Sequence, residues 1–253
     1  MNGLLNGETA LVTGAAGGIG RGIATALVRE GARVVLADNN VAAGEAAAAA
    51  LAKEGEAVFI AADLRAREEA DRLLAAAIAR LGCLTLLVHS ASPPRREADT
   101  VMSVDDETWD AMLAVNLTAG FRLLRGAGRH MIDQGIKGRM LLVTSLHAQR
   151  ARNLPHYSAA KAGMTMLVRE CARGFGAHGI RVNALAPGAI LAGGFVMDPA
   201  LVRHIPLGRA GTAEDVAPMA VVLLSERFSR YVTGATFVVD GGLDLCDWFE
   251  PRL

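Results

Sequence analysis

Seven short runs rich in Val, Leu and Ile alternate with helical stretches along the chain, and this alternation constrains the fold more than any other feature. The runs are 10–13, 33–37, 57–61, 85–88, 139–144, 181–185 and 235–239. Few polar residues interrupt them. Strands buried on both faces of a parallel sheet look like this, whereas strands with one wet face alternate apolar and polar. Helical stretches lie between them at 19–30, 41–54, 67–81, 106–134, 158–178 and 213–225. Parallel neighbours need a crossover, and such crossovers are right-handed. Repeated β-then-α therefore predicts a doubly wound parallel seven-stranded sheet with helices on both faces. The 253 residues suit one α/β domain, 1–253, with a large core. The alanine run 46–50 sits inside a helix and reads as helix propensity alone. The one long irregular stretch, 192–211, contains Gly193, Gly194, Pro199, Pro206 and Gly208. It predicts a functional loop at about 189–211, since loops of that length inside compact domains commonly serve as lids.

Composition narrows the function. The chain is 52% hydrophobic and 21% charged, and its 26 basic and 26 acidic side chains cancel. No basic tract points to nucleic acid, and no charge asymmetry points to a membrane surface. No apolar stretch reaches membrane-spanning length. Met1 leads through Gly7 into an apolar run without a cationic leader. Cys83, Cys171 and Cys246 are odd in number and widely spaced, which argues against a disulfide framework or a metal site and for the reducing cytoplasm.

Two motifs carry chemistry. The first is the turn Thr13-Gly14-Ala15-Ala16-Gly17-Gly18-Ile19-Gly20, which follows a strand and opens a helix. In that context Gly14 permits the tight turn. Gly18 and Gly20 let backbone and helix approach a dinucleotide pyrophosphate, which sits on the positive helix end. Asp38 ends the second strand, eighteen residues past Gly20. That is close to the spacing of a carboxylate that binds a ribose 2′-hydroxyl, and a carboxylate repels a 2′-phosphate. The expected cofactor is NAD, with NADP second, and Arg21 reads as structural. The second motif is Tyr157 with Lys161 four residues later. On a helix that spacing puts phenol and ammonium on one face, where the cation favours the phenolate and makes a general acid/base.

Together these residues resemble a single-domain member of the short-chain dehydrogenase/reductase family over nearly the whole chain. The matching pieces are the turn at 13–20, Asp38, Ala62-Asp63-Leu64, Asn116, Ser145, Tyr157, Lys161, and Asn183 through Pro187-Gly188. The resemblance implies a Rossmann-like fold and an oxidoreductase that exchanges hydride between a nicotinamide and a secondary alcohol or ketone. It further implies that Tyr157 moves the alcohol proton and that Lys161 lowers its pKa and bonds the nicotinamide ribose. Ser145 would hold the substrate oxygen, and Asn116 would bind a relay water. On the cofactor side, Gly14, Gly18, Ile19 and Gly20 would cradle the phosphates, Asp63 would bond the adenine amino group and Leu64 would flank the ring. Pro187, Gly188 and Ile190 would lie at the nicotinamide. Three positions depart from the family pattern. Ser145 precedes Tyr157 by twelve residues, and Thr144 would give the commoner thirteen. His89-Ser90-Ala91-Ser92 replaces the usual Asn-Asn-Ala-Gly cofactor wall, with Ser90 and Ala91 at the cofactor. Ala192 stands where a threonine is usual.

By family position the substrate side would be 92–97, 147–154 and 189–195, with Ser92, His147, Asn153 and Phe195 as contacts. Arg95, Arg96, Glu97, Arg150 and Arg152 make it polar, which suits a sugar, polyol or small hydroxy acid better than an apolar sterol. The runner-up is a 3-oxoacyl-[acyl-carrier-protein] reductase using NADPH, for which Arg129 and Arg173 would contact the carrier. A non-catalytic cofactor-binding protein is the third reading. The tail at 244–253 contains Trp248-Phe249 and is expected to dock at a subunit interface. The resemblance implies a homotetramer.

Overall fold

The computed structural model describes residues 3–192 and 199–245. Its centre is one seven-stranded sheet in the order β3-β2-β1-β4-β5-β6-β7, with every neighbouring pair parallel. The strands are β1 (Thr9–Thr13), β2 (Arg33–Asp38), β3 (Ala57–Ala61), β4 (Leu86–His89), β5 (Arg139–Val143), β6 (Arg181–Pro187) and β7 (Thr236–Val239). All seven expected strands are present, with ends shifted by a residue or two.

Successive strand side chains point to opposite faces, and both faces are dry. Ala10 and Val12 of β1, Val34 and Leu36 of β2 and Leu141 and Val143 of β5 face one layer. It is made by α1 (Gly18–Arg29), α2 (Val41–Leu51) and α8 (Ala213–Leu224). Leu11, Val35, Met140 and Leu142 face the other. There α3 (Glu69–Leu81), α5 (Gly120–Asp133) and α6 (Pro155–Phe175) supply Leu73, Leu123, Met131, Met164 and Val168. Burying each such leucine contributes roughly 1.5–3 kcal/mol, which is why the strands read as unbroken apolar runs. The remaining helices are α4 (Asp106–Leu113), the single turn α7 (Pro199–Val202) and α9 (Glu226–Ser229).

Three expectations need correcting. The stretch 106–134 is not one helix. It is α4, a π-helical turn at Ala114–Ala119, and α5. A π turn accommodates an extra residue without breaking the rod, so the apolar pattern runs through it unmarked. The helix expected at 158–178 begins three residues earlier, with Pro155 in its first turn, where proline's missing N–H costs nothing. Within 192–211, the described part includes α7 and a bridge between Ile190 and Gly211, so it is not wholly irregular.

Candidate active site

The strand order reverses between β1 and β4, and a crevice opens there beyond the carboxyl ends of the strands, as it does in open α/β sheets. A cleft of about 170 Å³ occupies it. Gly14, Asp38, Asp63, Leu64, Ala91, Ser92 and Val115 are among the residues lining it.

The glycine turn has the shape a pyrophosphate needs. Gly14 adopts φ +68° beneath the β4 loop, and a methyl group there would lie 2.7 Å from the Ala91 backbone. A methyl at Gly20 would collide with the Gly14 carbonyl oxygen, so the first turn of α1 packs directly on the glycine turn. The α1 N-cap is Gly17, with no capping side chain, whereas Asn40 caps α2 and Asp105 caps α4. The first N–H groups of α1 are therefore not engaged by a cap and carry the positive end of the helix. Asp38 ends β2 with one carboxylate oxygen accepting from the Ala16 N–H at 3.1 Å and the other from the Asn40 N–H at 3.0 Å. The carboxylate is thus oriented and also tied to the turn. These features fit a nicotinamide dinucleotide. Asp63 and Leu64 line the same cleft, and the Asp63 carboxylate is gripped by the Arg65 guanidinium at 2.6 Å, a bond that holds it below the usual carboxylate range.

Tyr157 and Lys161 sit on the first two turns of α6 and are both buried; Met112, packed with Tyr157, meets Ser92 in the cleft lining. The Lys161 Nζ lies 5.4 Å from the Tyr157 ring centroid and donates to the Val143 carbonyl at 2.9 Å. Burial, with the Arg95 charge as the smaller cause, brings this ammonium down to about 7. Ser145 lies two residues past the end of β5, and its hydroxyl accepts from the His147 N–H at 3.3 Å. The Thr144 hydroxyl instead donates to the Leu185 carbonyl at 2.9 Å and is committed to the sheet. Of the two candidate hydroxyls, that of Thr144 is thus bound to the sheet, and that of Ser145 meets the backbone of the turn that follows.

Asn116 lies within the π turn, fully buried. Its Nδ2 donates to the Ser92 hydroxyl at 3.2 Å and to the Met112 carbonyl at 3.0 Å, while its Oδ1 has no hydrogen-bond partner among the described residues. Ser92, expected at the substrate, thus braces Asn116 and lines the cleft. Ser90 and Ala91 approach the Thr13 hydroxyl with their N–H groups, at 3.3 and 3.4 Å.

His89 was legible in sequence only as part of the altered cofactor wall, and its bridging position was not. Its ring is fully buried between the two motifs. Nδ1 lies 2.8 Å from the Thr13 hydroxyl, and Nε2 lies 3.1 Å from both the Val115 and the Asn116 carbonyls. Carbonyls only accept, so Nε2 carries the proton and Nδ1 accepts from Thr13. Burial first, then the Lys161 charge, lowers the imidazole to about 4, so it is neutral. The available signal was a histidine ending an otherwise apolar buried strand.

His147 meets the Tyr157 ring edge-on, with centroids 5.2 Å apart, and the Arg95 guanidinium lies 4.5 Å above the same ring. Asn153 is exposed, with φ +59°. Phe195 and the tail at 246–253 lie outside the described residues. The described residues contain no cluster of three or more side chains that could hold a metal ion, and no helix among them is long and apolar enough to cross a membrane.

A parallel sheet with a phosphate-shaped turn at its switch point, beside a buried Tyr/Lys pair and a strand-end hydroxyl, defines a nucleotide-dependent oxidoreductase. A family profile described as enoyl-(acyl carrier protein) reductase matches residues 14–244. The chain is 34% identical to L-rhamnose 1-dehydrogenase (NAD(P)(+)) of Azotobacter vinelandii, over 95% of this chain and 98% of that protein. It is 36% identical to glucose 1-dehydrogenase 2 of Bacillus subtilis, over 95% and 96%. It is 34% identical to a 3-oxoacyl-[acyl-carrier-protein] reductase of Synechocystis, over 94% and 98%. The crystal structure of a short-chain type dehydrogenase/reductase from Mycobacterium marinum superposes with a TM-score of 0.88 at 30% identity, covering 94% of this chain and 96% of that one. The chain belongs to the short-chain dehydrogenase/reductase family.

Proposed function

We propose that the protein is an NAD-dependent dehydrogenase of a polar secondary alcohol, or the corresponding ketone reductase, with Tyr157 as the acid/base. The observation that carries this reading is the buried Tyr157, with Lys161 on the next turn of α6 and Ser145 just past β5, joined through Met112 to Ser92 in the lining of a cleft that fits a dinucleotide. When bound, the nicotinamide accepts or returns a hydride at C4. Tyr157 takes the proton from the alcohol oxygen, or donates it to the ketone. Ser145 donates a hydrogen bond to that oxygen and holds it against Tyr157. Lys161, on the following turn, lies with its Nζ 5.4 Å from the Tyr157 ring centroid and donates to the Val143 carbonyl. Asn116 holds the relay end of the site in the π turn, with Lys161 delivering the proton onward.

Asp38 favours NAD over NADP, because its carboxylate would repel a 2′-phosphate. Pro187, Gly188 and Ile190 flank the nicotinamide side, with Ile190 buried beside Gly211. The polar surroundings of Tyr157 and the kinship with two sugar dehydrogenases favour a sugar, polyol or hydroxy acid. The comparable kinship with a 3-oxoacyl-[acyl-carrier-protein] reductase supports a second reading, an NADPH-dependent reductase of hydroxyacyl thioesters, with Arg129 and Arg173 exposed on α5 and α6. The free thiols of Cys83 and Cys171 suit the cytoplasm. Phe121 on α5 and Met166 on α6 are exposed, which supports a homotetramer built on those helices.

The test is reduced-cofactor formation from NAD and from NADP across aldoses, polyols, hydroxy acids and hydroxyacyl thioesters. Turnover of a polar alcohol with NAD is expected. Activity confined to thioesters with NADP would replace this reading with the second. A light-scattering mass equal to one subunit would remove the tetramer.

A further inference from the structure

We propose that Arg65 determines how the protein reads the base of its dinucleotide: it occupies the Asp63 carboxylate and leaves the 6-amino group of the purine without a partner there. The dinucleotide is then bound without regard to that amino group. The proposal rests on the reading of the crevice as a dinucleotide site and concerns its adenosine end.

Asp63 and Arg65 stand between β3 and α3 and line the cleft together with Asp38 and Leu64. Both side chains are partly open to solvent, Arg65 at 62% and Asp63 at 41%. A ligand in the cleft therefore meets this pair, and changing the pair leaves the core untouched. Asp38 and Asp63 are the carboxylates in the lining among the described residues. Asp38 has its two oxygens on the Ala16 and Asn40 N–H groups. Asp63 is the other natural acceptor for an aromatic amine.

Its acceptor sites are already taken. Oδ1 accepts from the Arg65 backbone N–H at 3.1 Å and from the Arg65 Nε at 3.0 Å. Oδ2 accepts from the same Nε at 3.0 Å and from Nη2 at 2.6 Å. Two ionised oxygens offer about four lone-pair sites, and Arg65 alone meets all of them. The grip closes within a two-residue turn, so no distant element has to hold the guanidinium in place. Glu69, the next carboxylate along the chain, is held by Arg72 at 2.8 Å and does not draw Arg65 away.

The fork of a guanidinium on a carboxylate is charge-assisted at both ends and bidentate. The amino group of a purine is neutral and offers Asp63 a weaker bond, so a base entering the cleft does not displace Arg65. The base would instead be held by Ala62, Leu64 and Val115 of the lining. These side chains neither donate nor accept, and apolar contact does not distinguish adenine from a purine that lacks the amino group.

The experiment measures by calorimetry the Kd of the preferred nicotinamide dinucleotide and of its analogue with unsubstituted purine in place of adenine. The analogue lacks only the 6-amino group, and the readout needs no alcohol or ketone. Wild type should bind the two within about threefold of each other, less than a typical hydrogen bond contributes. Arg65→Ala frees Asp63, and the adenine form should then be preferred by about tenfold or more, as for a hydrogen bond to a charged group. In Arg65→Ala combined with Asp63→Ala the ratio should return to within about threefold. Losing a cation beside the site changes the affinity for both ligands and cancels in the ratio. A wild type that prefers adenine by more than about threefold would overturn the proposal and leave the dinucleotide reading intact. A ratio unmoved in Arg65→Ala would do the same. So would a preference that persists in the double variant, because another acceptor such as Asn39 would then be reading the amine. Wild type that binds neither dinucleotide, in the NAD or the NADP form, would overturn the reading of the crevice, and this proposal with it.

Discussion

Replacing His89 should cost both stability and turnover, by amounts the structure sets. The imidazole connects the Thr13 hydroxyl, at the glycine turn, to the Val115 and Asn116 carbonyls of the π turn. His89→Leu removes the acceptor for Thr13 and the donor for the two carbonyls at a fully buried position. Two lost neutral hydrogen bonds cost about 1 kcal/mol each, and an orphaned buried carbonyl adds about 1–2, so the variant should lose about 3–4 kcal/mol. The π turn should then relax, moving Asn116. A displacement near 1 Å in a positioning group lowers kcat by up to about 100-fold. Titration makes the argument sharper. The imidazole is lowered from 6.5 to about 4 in the fold, so the unfolded chain binds the extra proton between those values. Stability from this group is therefore complete above pH 6.5 and is lost as pH falls toward 4. At about 1.36 kcal/mol per pH unit, that loss is about 2 kcal/mol between pH 7.5 and 5. His89→Asn keeps an amide donor and acceptor but cannot titrate. Urea unfolding of the three proteins at both pH values measures this. The Leu variant should be weakened at both, and the Asn variant should gain about 2 kcal/mol on the wild type as the pH drops. A stability gap between Asn variant and wild type that does not change with pH would refute the reasoning, as would a Leu variant within 0.5 kcal/mol of wild type.

Further outcomes are expected elsewhere. Gly14→Ala puts a methyl 2.7 Å from the Ala91 backbone at φ +68°, so it should lower stability by about 1–3 kcal/mol and weaken dinucleotide binding, read by cofactor fluorescence titration. Asp38→Ala should raise the KM for NAD about tenfold or more and improve the relative use of NADP, and an unchanged preference would remove Asp38 from the ribose site. Lys161→Met removes a group brought down to about 7, so the pH profile of kcat/KM should lose the limb governed by that group and turnover should fall. Thr144→Val should cost about 1 kcal/mol, because its hydroxyl serves the Leu185 carbonyl, and should spare kcat relative to Ser145→Ala.

The layered fold was legible because it is written in a local pattern. Leu11 and Val12 face opposite layers, yet both are apolar, and that is the mark of a parallel sheet. The placement of the glycine turn before α1 and of Tyr157 and Lys161 one turn apart on α6 was legible for the same reason, since each is a short local spacing. The π turn at Ala114–Ala119 was not. Its residues continue the helical pattern, and only their packing reveals the wider turn. His89 was hidden differently. Its partners Thr13 and Asn116 are 76 and 27 residues away, so its role exists only once β1, β4 and the π turn meet. The charge around Tyr157 is also tertiary. Arg95 was legible as polar lining, but its position over the ring arises from a loop 62 residues upstream of Tyr157 in sequence.

The central claim is that Tyr157 moves the proton while the cleft holds the nucleotide. The most direct measurement compares wild type with Tyr157→Phe, for nucleotide affinity and for turnover of the best alcohol found. The account predicts that the variant binds NAD within about threefold of wild type and loses at least about a hundredfold in kcat, the contribution of a positioned acid/base. A variant that turns over as fast as the wild type would contradict it.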